Sequence, residues 1–242
     1  EIQLGDWSSD VCSSDLKGHD LDIDFLSQTK LFHGIAPDAI PKVLSNLGYR
    51  IKNYDREAVI YMAGDSADAI GLVLSGSVRI ENNDFWGNTS VLANIAPGSV
   101  FAETYALLSD EPLMVDVIAQ KKSIVLFLQT EHLFDFSHDT TIANRRHTII
   151  HNLLMISTQK NLHLSRRIFH TSSKSIRGRL ISYLSFVAQK KNTNDFVIPF
   201  NRQHLADYLS VDRSALSHEL SKMQDEGLLI TEKSHFVLNF DL

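Results

Sequence analysis

The chain of 242 residues is long enough for one large domain or two modest ones, and 43% of its residues are hydrophobic and 21% charged. This ordinary globular composition excludes a disordered, collagen-like or low-complexity chain, and its apolar runs are too short for a membrane-spanning helix. The net charge of −6 is uneven: residues 1–130 carry nine basic and 18 acidic side chains, whereas residues 131–242 carry 14 basic and 11 acidic. An anionic partner such as nucleic acid is therefore expected on the C-terminal half.

The first sixteen residues, EIQLGDWSSDVCSSDL, show no periodicity and no signal-peptide pattern. Because the string VCSSDL resembles a translated sequencing adapter, we interpret residues 1–16 as non-native and expect the native N-terminus to be missing; a poorly ordered natural terminus is the alternative. This segment contains Cys12, the only cysteine. A chain that cannot form an internal disulfide fits a reducing compartment, and we predict a cytoplasmic protein.

Residues 17–140 carry the pattern of a β-rich domain. Helical spacing of apolar residues predicts two short helices, at 25–32 and 37–47. Short apolar or alternating runs then follow, separated by turns rich in Gly, Asn, Asp and Pro, at 50–52, 58–62, 70–74, 77–81, 90–95, 115–119 and 123–128. Many short strands at this spacing predict an antiparallel, jelly-roll-like β-roll.

Residues 141–170 contain no Gly or Pro and predict one long helix. Thirty helical residues extend about 45 Å at about 1.5 Å per residue, more than a small domain needs. Lys160 and His163 interrupt its apolar stripe, as polar residues do in a dimer seam. We predict a dimerisation helix with contacts from Ile149, Leu153, Ile156 and Lys160; an internal core helix is the alternative. The polar residues 171–175 then predict a hinge, and residues 171–242 a second domain.

The last domain has the pattern of a winged helix-turn-helix. Asn201 is well placed as the N-cap of a helix over 202–209, and a turn at 210–212 leads to a second helix over 213–226 that Gly227 ends. Apolar residues at 228–230 and 236–238 predict the hairpin of the wing. The whole chain is thus predicted as α+β: a β-roll, a long helix and a winged helix.

The second helix of such a motif enters the major groove of DNA with its N-terminal residues. Its outward residues are predicted to read bases, Arg213 by a bidentate contact with guanine, together with Ser214, Ser217 and His218. Residues at the start of the first helix are predicted to contact phosphates; these are Asn201, Arg202 and Gln203. The alternative is that Arg202 and Arg213 are solvated surface charges.

These features together resemble the CRP/FNR family of bacterial transcription regulators over nearly the whole chain after residue 16. The string from Gly64 through GSV and PG to FAE at 101–103 is similar to a cyclic-nucleotide-binding β-roll. The long helix is similar to the dimerisation helix of the family, and residues 201–227 to its helix-turn-helix. The string IPFNRQHLADYLSVDRSALSHELSKMQDEGLL is especially similar to regulators of anaerobic Firmicutes, in which the effector varies widely.

The resemblance also implies an effector site, at which this chain departs from the family. Ala102 replaces the family's Gly, and Leu113-Met114 replace the Arg-Ser or Arg-Thr pair that neutralises a cyclic phosphate. Without that arginine we do not expect cyclic AMP to bind, and a hydrophobic or aromatic effector is predicted instead. Its pocket is expected to include Phe101, Ala102, Glu103, Leu113, Met114, Leu164 and Ser165. The alternative is a pocket filled by its own side chains.

No cofactor or metal is predicted. The iron–sulfur branch of the family needs cysteines, and residues 17–242 contain none. Eleven histidines leave a haem ligand open, but we interpret them as surface or capping residues, including His147 and His151, whose i, i+4 spacing has no third metal ligand in the sequence.

No motif of a hydrolase, P-loop enzyme, zinc protease or dinucleotide-binding enzyme occurs, so catalysis is not expected. We predict a homodimeric regulator that binds an inverted repeat in double-stranded DNA, responds to an unknown small molecule, and contacts RNA polymerase if it is an activator. An effector-independent DNA-binding dimer and a protein-binding regulatory subunit are the alternatives.

Overall fold

The computed structural model describes residues 21–83, 86, 89–108, 111–135 and 139–239. The predictions for residues 1–16, including Cys12, lie outside these residues. The chain divides into two compact units, one up to Ile156 and one from Ser157 onward. None of the helices in the described ranges combines the length and apolar character that a bilayer-crossing segment requires.

Two short helices open the N-terminal unit, as predicted. Asp22 caps α1 (Ile23–Gln28) by accepting a hydrogen bond from the backbone N–H of Phe25. A 3-10 turn (Pro37–Ala39) leads into α2 (Ile40–Leu47), which ends at Gly48 with φ +76°. The apolar stripe of α2 is buried in the core of the unit, as the helical spacing predicted.

Eight strands and one further helix complete this unit's β-roll. They are β1 (Tyr49–Tyr54), β2 (Val59–Tyr61), β3 (Ala69–Ser75), β4 (Val78–Asn83), β5 (Thr89–Ile95), β6 (Val100–Phe101), α3 (Glu103–Leu107), β7 (Asp116–Ala119) and β8 (Ser123–Gln129). They form two four-stranded antiparallel sheets, in the orders β1-β8-β3-β6 and β2-β7-β4-β5. All seven predicted strands are confirmed; β6 and α3 were not predicted as separate elements.

The predicted long helix is α4 (Thr140–Thr171), and its first half packs into the N-terminal unit. Ile149, Leu153 and Ile156 are 0%, 3% and 8% exposed and belong to the core of that unit. Between them, the side chain of Asn152 donates hydrogen bonds to the carbonyls of Leu31 and His33. The N-terminal unit therefore already covers the three apolar residues from which the dimer seam was predicted.

The fourth residue of the predicted seam, Lys160, is exposed. Beyond the core residues, α4 presents large apolar side chains to solvent, at Leu154, Met155, Leu162, Leu164, Ile168 and Phe169.

The C-terminal unit is a winged helix, as predicted. Its elements after α4 are α5 (Ile176–Lys191), β9 (Asp195–Val197), α6 (Arg202–Leu209), α7 (Arg213–Asp225), β10 (Leu229–Glu232) and β11 (His235–Leu238). The three strands form one antiparallel sheet in the order β10-β11-β9. Sequence reasoning missed α5, although Ser175 caps it and apolar residues recur along it at helical spacing.

Candidate nucleic-acid interface and ligand site

The first helix of the helix-turn-helix, α6, is defined by polar caps and a buried apolar face. The side chain of Asn201 accepts a hydrogen bond from the N–H of His204, which confirms the predicted N-cap. Leu205, Ala206 and Leu209 are fully buried against the rest of the unit. Ser210 then ends the helix with φ +53°, a left-handed conformation that turns the chain toward α7.

The second helix, α7, has Asp212 as its N-cap. The sequence analysis assigned this residue to the turn at 210–212 and did not identify it as a cap. Asp212 accepts hydrogen bonds from the N–H groups of Ser214 and Ala215 and from the Ser214 hydroxyl. The Ser214 side chain, followed by these backbone donors, lowers the pKa of the Asp212 carboxyl below its ordinary value. The preference of Asp for the position before a helix was the available signal.

The residues predicted to read bases share one exposed face of α7. Arg213, Ser214, Ser217 and His218 are all exposed. The Ser217 hydroxyl donates to the Arg213 carbonyl, and the Ser214 hydroxyl donates to Asp212, so each hydroxyl oxygen can still accept a hydrogen bond. Ser221, one turn after Ser217, is exposed as well and was missed by sequence reasoning.

The guanidinium of Arg213 has no hydrogen-bond or salt-bridge partner among the described residues, unlike several other arginines of the same unit. Arg177, for example, pairs with Glu219 at 2.6 Å and with Glu226 at 2.7 Å. An unpaired cation at the first position of α7 retains all its donors for an external acceptor.

The three residues predicted to contact phosphates have different surroundings. Gln203 is exposed and donates to Asp207 within α6. Arg202 is partly buried: Nη2 donates to Thr231 Oγ1 at 2.8 Å, and its guanidinium lies over the Phe236 ring. Burial lowers the pKa of Arg202. Arg202 thus joins α6 to the wing, a role that sequence reasoning did not predict.

The wing adds one more exposed cation. Lys233 occupies the turn between β10 and β11 with φ +53° and is exposed. Its position at the tip of the hairpin was not singled out from the sequence. Below it, Phe236 anchors the wing in the core of the unit.

The predicted effector residues of the N-terminal unit begin at the junction of β6 and α3. Phe101 is 1% exposed and packs edge-to-face on Phe127, with centroids 6.3 Å apart. Ala102 has φ +60°, a left-handed conformation that favours glycine, the residue that the resemblance implies there. Glu103, the first residue of α3, is 5% exposed.

Leu113 and Met114, predicted as a joint apolar pocket wall, face different surroundings. Leu113 is 3% exposed and belongs to the hydrophobic core, whereas Met114 is 73% exposed. Core side chains thus enclose Leu113, and of these two residues only Met114 is open to solvent. In the C-terminal unit, the other two predicted effector residues, Leu164 and Ser165, are both exposed.

The N-terminal unit also has an open groove of about 560 Å³. Its lining residues contain none of the predicted effector residues; they are Asn53, Asp55, Ser75, Lys122 and Ile124.

Two family models match the chain. Residues 51–139 match the cyclic nucleotide-binding domain, and residues 178–241 match the Crp-like helix-turn-helix domain. The chain is also 26% identical over 200 residues to the cyclic AMP receptor protein of Thermus thermophilus, across 82% of this chain and 87% of that protein. Both domains expected from the sequence are therefore present in the expected order.

Solved structures share the fold. CprK in complex with OCPA is similar with a TM-score of 0.58 at 12% identity, over 84% of this chain and 91% of that one. The c-di-GMP-responsive global regulator CLP of Xanthomonas campestris is similar with a TM-score of 0.52 at 18% identity, over 85% of this chain and all of that one.

Proposed function

We propose that the chain is a CRP/FNR-type transcription regulator that binds an inverted repeat in double-stranded DNA as a homodimer. The observation that carries this proposal is the exposed guanidinium of Arg213 at the first position of α7, which no described residue pairs with. In a helix-turn-helix the N-terminal residues of the second helix reach base edges in the major groove. Arginine at this position can donate two hydrogen bonds to guanine O6 and N7.

Neighbouring side chains support the same interface. Ser217 and His218 lie on the exposed face that Arg213 begins, and Ser221 extends it by one turn. At the start of α6, Asn201 and Gln203 are exposed and can reach phosphates beside the groove, while Lys233 can do so from the wing. Arg202, held by Thr231 and Phe236, contributes positive charge close to the same helix end.

We assign homodimerisation to an exposed apolar stripe of α4. Met155, Leu162 and Phe169 follow one another at seven-residue intervals, and they are 46%, 48% and 65% exposed. Side chains seven apart lie on one face of a helix, and an apolar heptad repeat is the pattern of a two-helix seam. Leu154 and Ile168 flank it. Twofold symmetry then predicts half-sites about 34–36 Å apart, one turn of DNA.

The effector is proposed to be a small molecule other than cyclic AMP. A cyclic phosphate needs a cationic partner, and Leu113 and Met114 stand where the resemblance places the family's Arg-Ser or Arg-Thr pair. Relatives are named for different ligands, cyclic AMP, c-di-GMP and OCPA, which supports a ligand that varies between family members. Within the N-terminal unit, Glu103 and the exposed Met114 remain the proposed contacts.

An effector-independent regulator is the second candidate, favoured by one observation. Phe101 and Leu113 are buried in the hydrophobic core, which fits an N-terminal unit filled by its own side chains. Contact with RNA polymerase, a cytoplasmic location and the special likeness to Firmicute regulators remain predictions for either candidate.

Selection of random duplex DNA tests the proposal. The protein from Lys17 onward, without added ligand, is incubated with the pool at two salt concentrations. Enrichment of an inverted repeat is the expected result, with a log–log salt slope near −0.9 for each phosphate contacted. A protein that shows no salt-sensitive binding to the DNA pool would instead favour a protein-binding role.

Salt-sensitive binding without sequence enrichment would point to a missing effector, and libraries of apolar and aromatic compounds would then be added. Arg213→Ala should weaken the enrichment and relax the preference at one base pair of each half-site. Lys190→Ala, which removes an exposed charge at the C-terminal end of α5, should leave both unchanged.

A further inference from the structure

The C-terminal end of α6 is held by two arginines from outside the helix-turn-helix. The last carbonyls of a helix have no intrahelical donors, and α6 has only eight residues. The turn itself satisfies two of them, since the N–H groups of Ser210 and Val211 donate to the carbonyls of Asp207 and Ala206. The carbonyls that follow receive their hydrogen bonds from Arg167 and Arg179.

Arg167 lies on the last turns of α4, in the same compact unit as α6. Its Nε donates to the Tyr208 carbonyl at 3.1 Å, and its Nη2 donates to the Asp207 carbonyl at 3.0 Å. Nη2 is also 3.3 Å from the hydroxyl of Ser210. Arg167 therefore joins the end of the long helix directly to the turn of the helix-turn-helix.

Arg179, at the start of α5, completes the arrangement. Its Nη1 donates to the carbonyls of Leu209 and Ser210, each at 2.9 Å. Its Nε donates at 2.8 Å to the carbonyl of Ser173, in the polar segment between α4 and α5. One side chain thus holds both that segment and the end of α6. Two cations at a helix C-terminus also interact favourably with the helix dipole.

We propose that Arg167 and Arg179, which we call the arginine clamp, fix the orientation of the helix-turn-helix relative to the end of α4. They are positioning residues and do not contact DNA in this proposal. In a dimer joined along α4, the clamp would set the distance between the two recognition helices. It would thereby determine which spacing of half-sites is bound; this consequence rests on the proposed function.

Aromatic packing surrounds the clamp but is less directional. His163 and Tyr208 have ring centroids 6.1 Å apart, and Arg166 lies over the ring of Phe186 at 5.3 Å. Such contacts tolerate sliding, whereas a planar guanidinium that donates to two carbonyls fixes an angle as well as a distance. We therefore expect removal of the clamp to loosen the orientation without unfolding the unit.

The first test measures orientation without DNA. Spin labels at Asn161→Cys on α4 and His204→Cys on α6, in a Cys12→Ser background, report one distance within a chain when labelled protein is mixed with excess unlabelled protein. The clamped protein is expected to give a narrow distance distribution. Arg167→Ala and Arg179→Ala should each broaden it severalfold, and Arg167→Lys, which cannot donate from a planar fork, should broaden it to a smaller extent.

Arg177→Gln is the matched control, because Arg177 is an arginine of the same helix as Arg179 but pairs with Glu219 and Glu226. Its distance distribution should stay narrow. If the spin-label distance distribution is unchanged in both Arg167→Ala and Arg179→Ala, the proposal that these arginines fix the orientation is wrong. If Arg167→Ala does not fold, Arg167→Lys decides the question alone. This measurement does not depend on DNA binding, so it separates a failed clamp from a failed function.

The second test uses duplexes with identical half-sites and spacers changed by one or two base pairs. The clamped protein should lose at least about tenfold in affinity when the spacer changes by two base pairs, as expected for a rigid geometry. Arg167→Ala should reduce this discrimination severalfold while the preferred bases within each half-site stay the same. Equal loss of affinity on every spacer would mean that the arginines only stabilise α6, and would contradict the clamp.

Discussion

The guanidinium carbon of Arg202 lies 5.3 Å from the ring centroid of Phe236, above a side chain that is completely buried in the wing. The same guanidinium donates to Thr231 in the adjacent strand. The first helix of the helix-turn-helix is therefore fastened to the wing through one arginine. A residue predicted from the sequence as a phosphate contact has a structural role as well.

Arg202→Ala is expected to lower the free energy of unfolding by about 1–2 kcal/mol, because a hydrogen bond and a cation–π contact are lost together. Denaturant titration measures the change. Gln203→Ala, whose amide only bonds to Asp207 on the helix surface, should cost less than about 0.5 kcal/mol. Equal stability of the two variants would show that the contact with Phe236 contributes nothing.

Arg213→Ala should leave stability within about 0.5 kcal/mol of the parent protein, because the side chain is exposed and unpaired among the described residues. Its affinity for the selected DNA site should fall by about 1–3 kcal/mol, and the preference at one base pair of each half-site should relax. Titrations with the selected site and with single-base variants measure both effects. A uniform loss on all sequences would instead make Arg213 a phosphate contact.

Leu162→Glu should dissociate the dimer, because the substitution places two carboxylates opposite each other in an apolar seam. We expect the dimer Kd to rise by more than about 100-fold, or about 2.7 kcal/mol. Sedimentation over a concentration series measures it. Asn144→Glu, an exposed position in the first half of α4, should leave the Kd unchanged. A dimer that survives Leu162→Glu would exclude this stripe as the interface.

His170 gives the C-terminal unit a pH-dependent stability. The ring is 1% exposed, its Nε2 has no hydrogen-bond partner among the described residues, and burial, followed by the charge of Arg166, lowers its pKa. Since the unfolded chain then binds more protons, stability contributed by the neutral ring is complete above about pH 6.5 and is lost as the pH falls through that value toward the lowered pKa.

Denaturant titrations between pH 5 and pH 8 measure this slope. His170→Phe, which keeps an aromatic ring beside Tyr183 and Phe186, should flatten it. His151→Gln removes an exposed histidine of the same helix and should leave the slope in place. The assignment fails if the slope persists in His170→Phe.

Ala102→Gly should stabilise the N-terminal unit by about 0.5–1 kcal/mol. The left-handed backbone at φ +60° costs an L-residue about 1–2 kcal/mol, and the greater freedom of glycine in the unfolded chain returns part of that gain. Thermal unfolding measures the change. Ala106→Gly, in the middle of α3, should instead destabilise the unit, because its helix interior favours alanine. A loss of stability in Ala102→Gly would contradict the conclusion that the left-handed backbone at this position is strained.

Leu113→Arg, the change that the family resemblance recommends for restoring a phosphate contact, is expected to destabilise the protein by more than about 3 kcal/mol. The side chain is 3% exposed within the hydrophobic core, where an arginine would be an unpaired charge. Met114→Arg, at a position 73% exposed, should cost less than about 0.5 kcal/mol and serves as the control. Comparable stability of the two variants would place Leu113 outside the core.

Much of the fold could be predicted from local patterns. The bounds of α6 and the start of α7 follow from capping residues such as Asn201 and from apolar spacing within a few positions, and the seven predicted strands follow from alternation and turn residues. The exposed face of α7 could also be predicted, because it contains the residues that its packing does not use.

Only the tertiary structure shows which of several similar apolar patterns in the sequence is buried. α4 carries two apolar stripes, and only contact with the N-terminal core, around Leu31 and Phe32, separates the buried Ile149, Leu153 and Ile156 from the exposed heptad stripe. Leu113 and Met114 are adjacent and equally apolar, yet the fold buries one and exposes the other. Periodicity places apolar residues on one face of a helix or strand. Which of those residues are buried depends on segments that are distant in the sequence.

Local signals in this sequence therefore determined the bounds of α6, the start of α7 and the places of seven strands, as well as the chemistry available on the recognition helix. The partners of its arginines were decided by tertiary structure: Arg202 meets Thr231 and Phe236, and Arg167 meets carbonyls about 40 residues away. The physical reason is that capping and periodicity act within one or two helical turns, whereas burial and long-range hydrogen bonds depend on which segments the folded chain brings together.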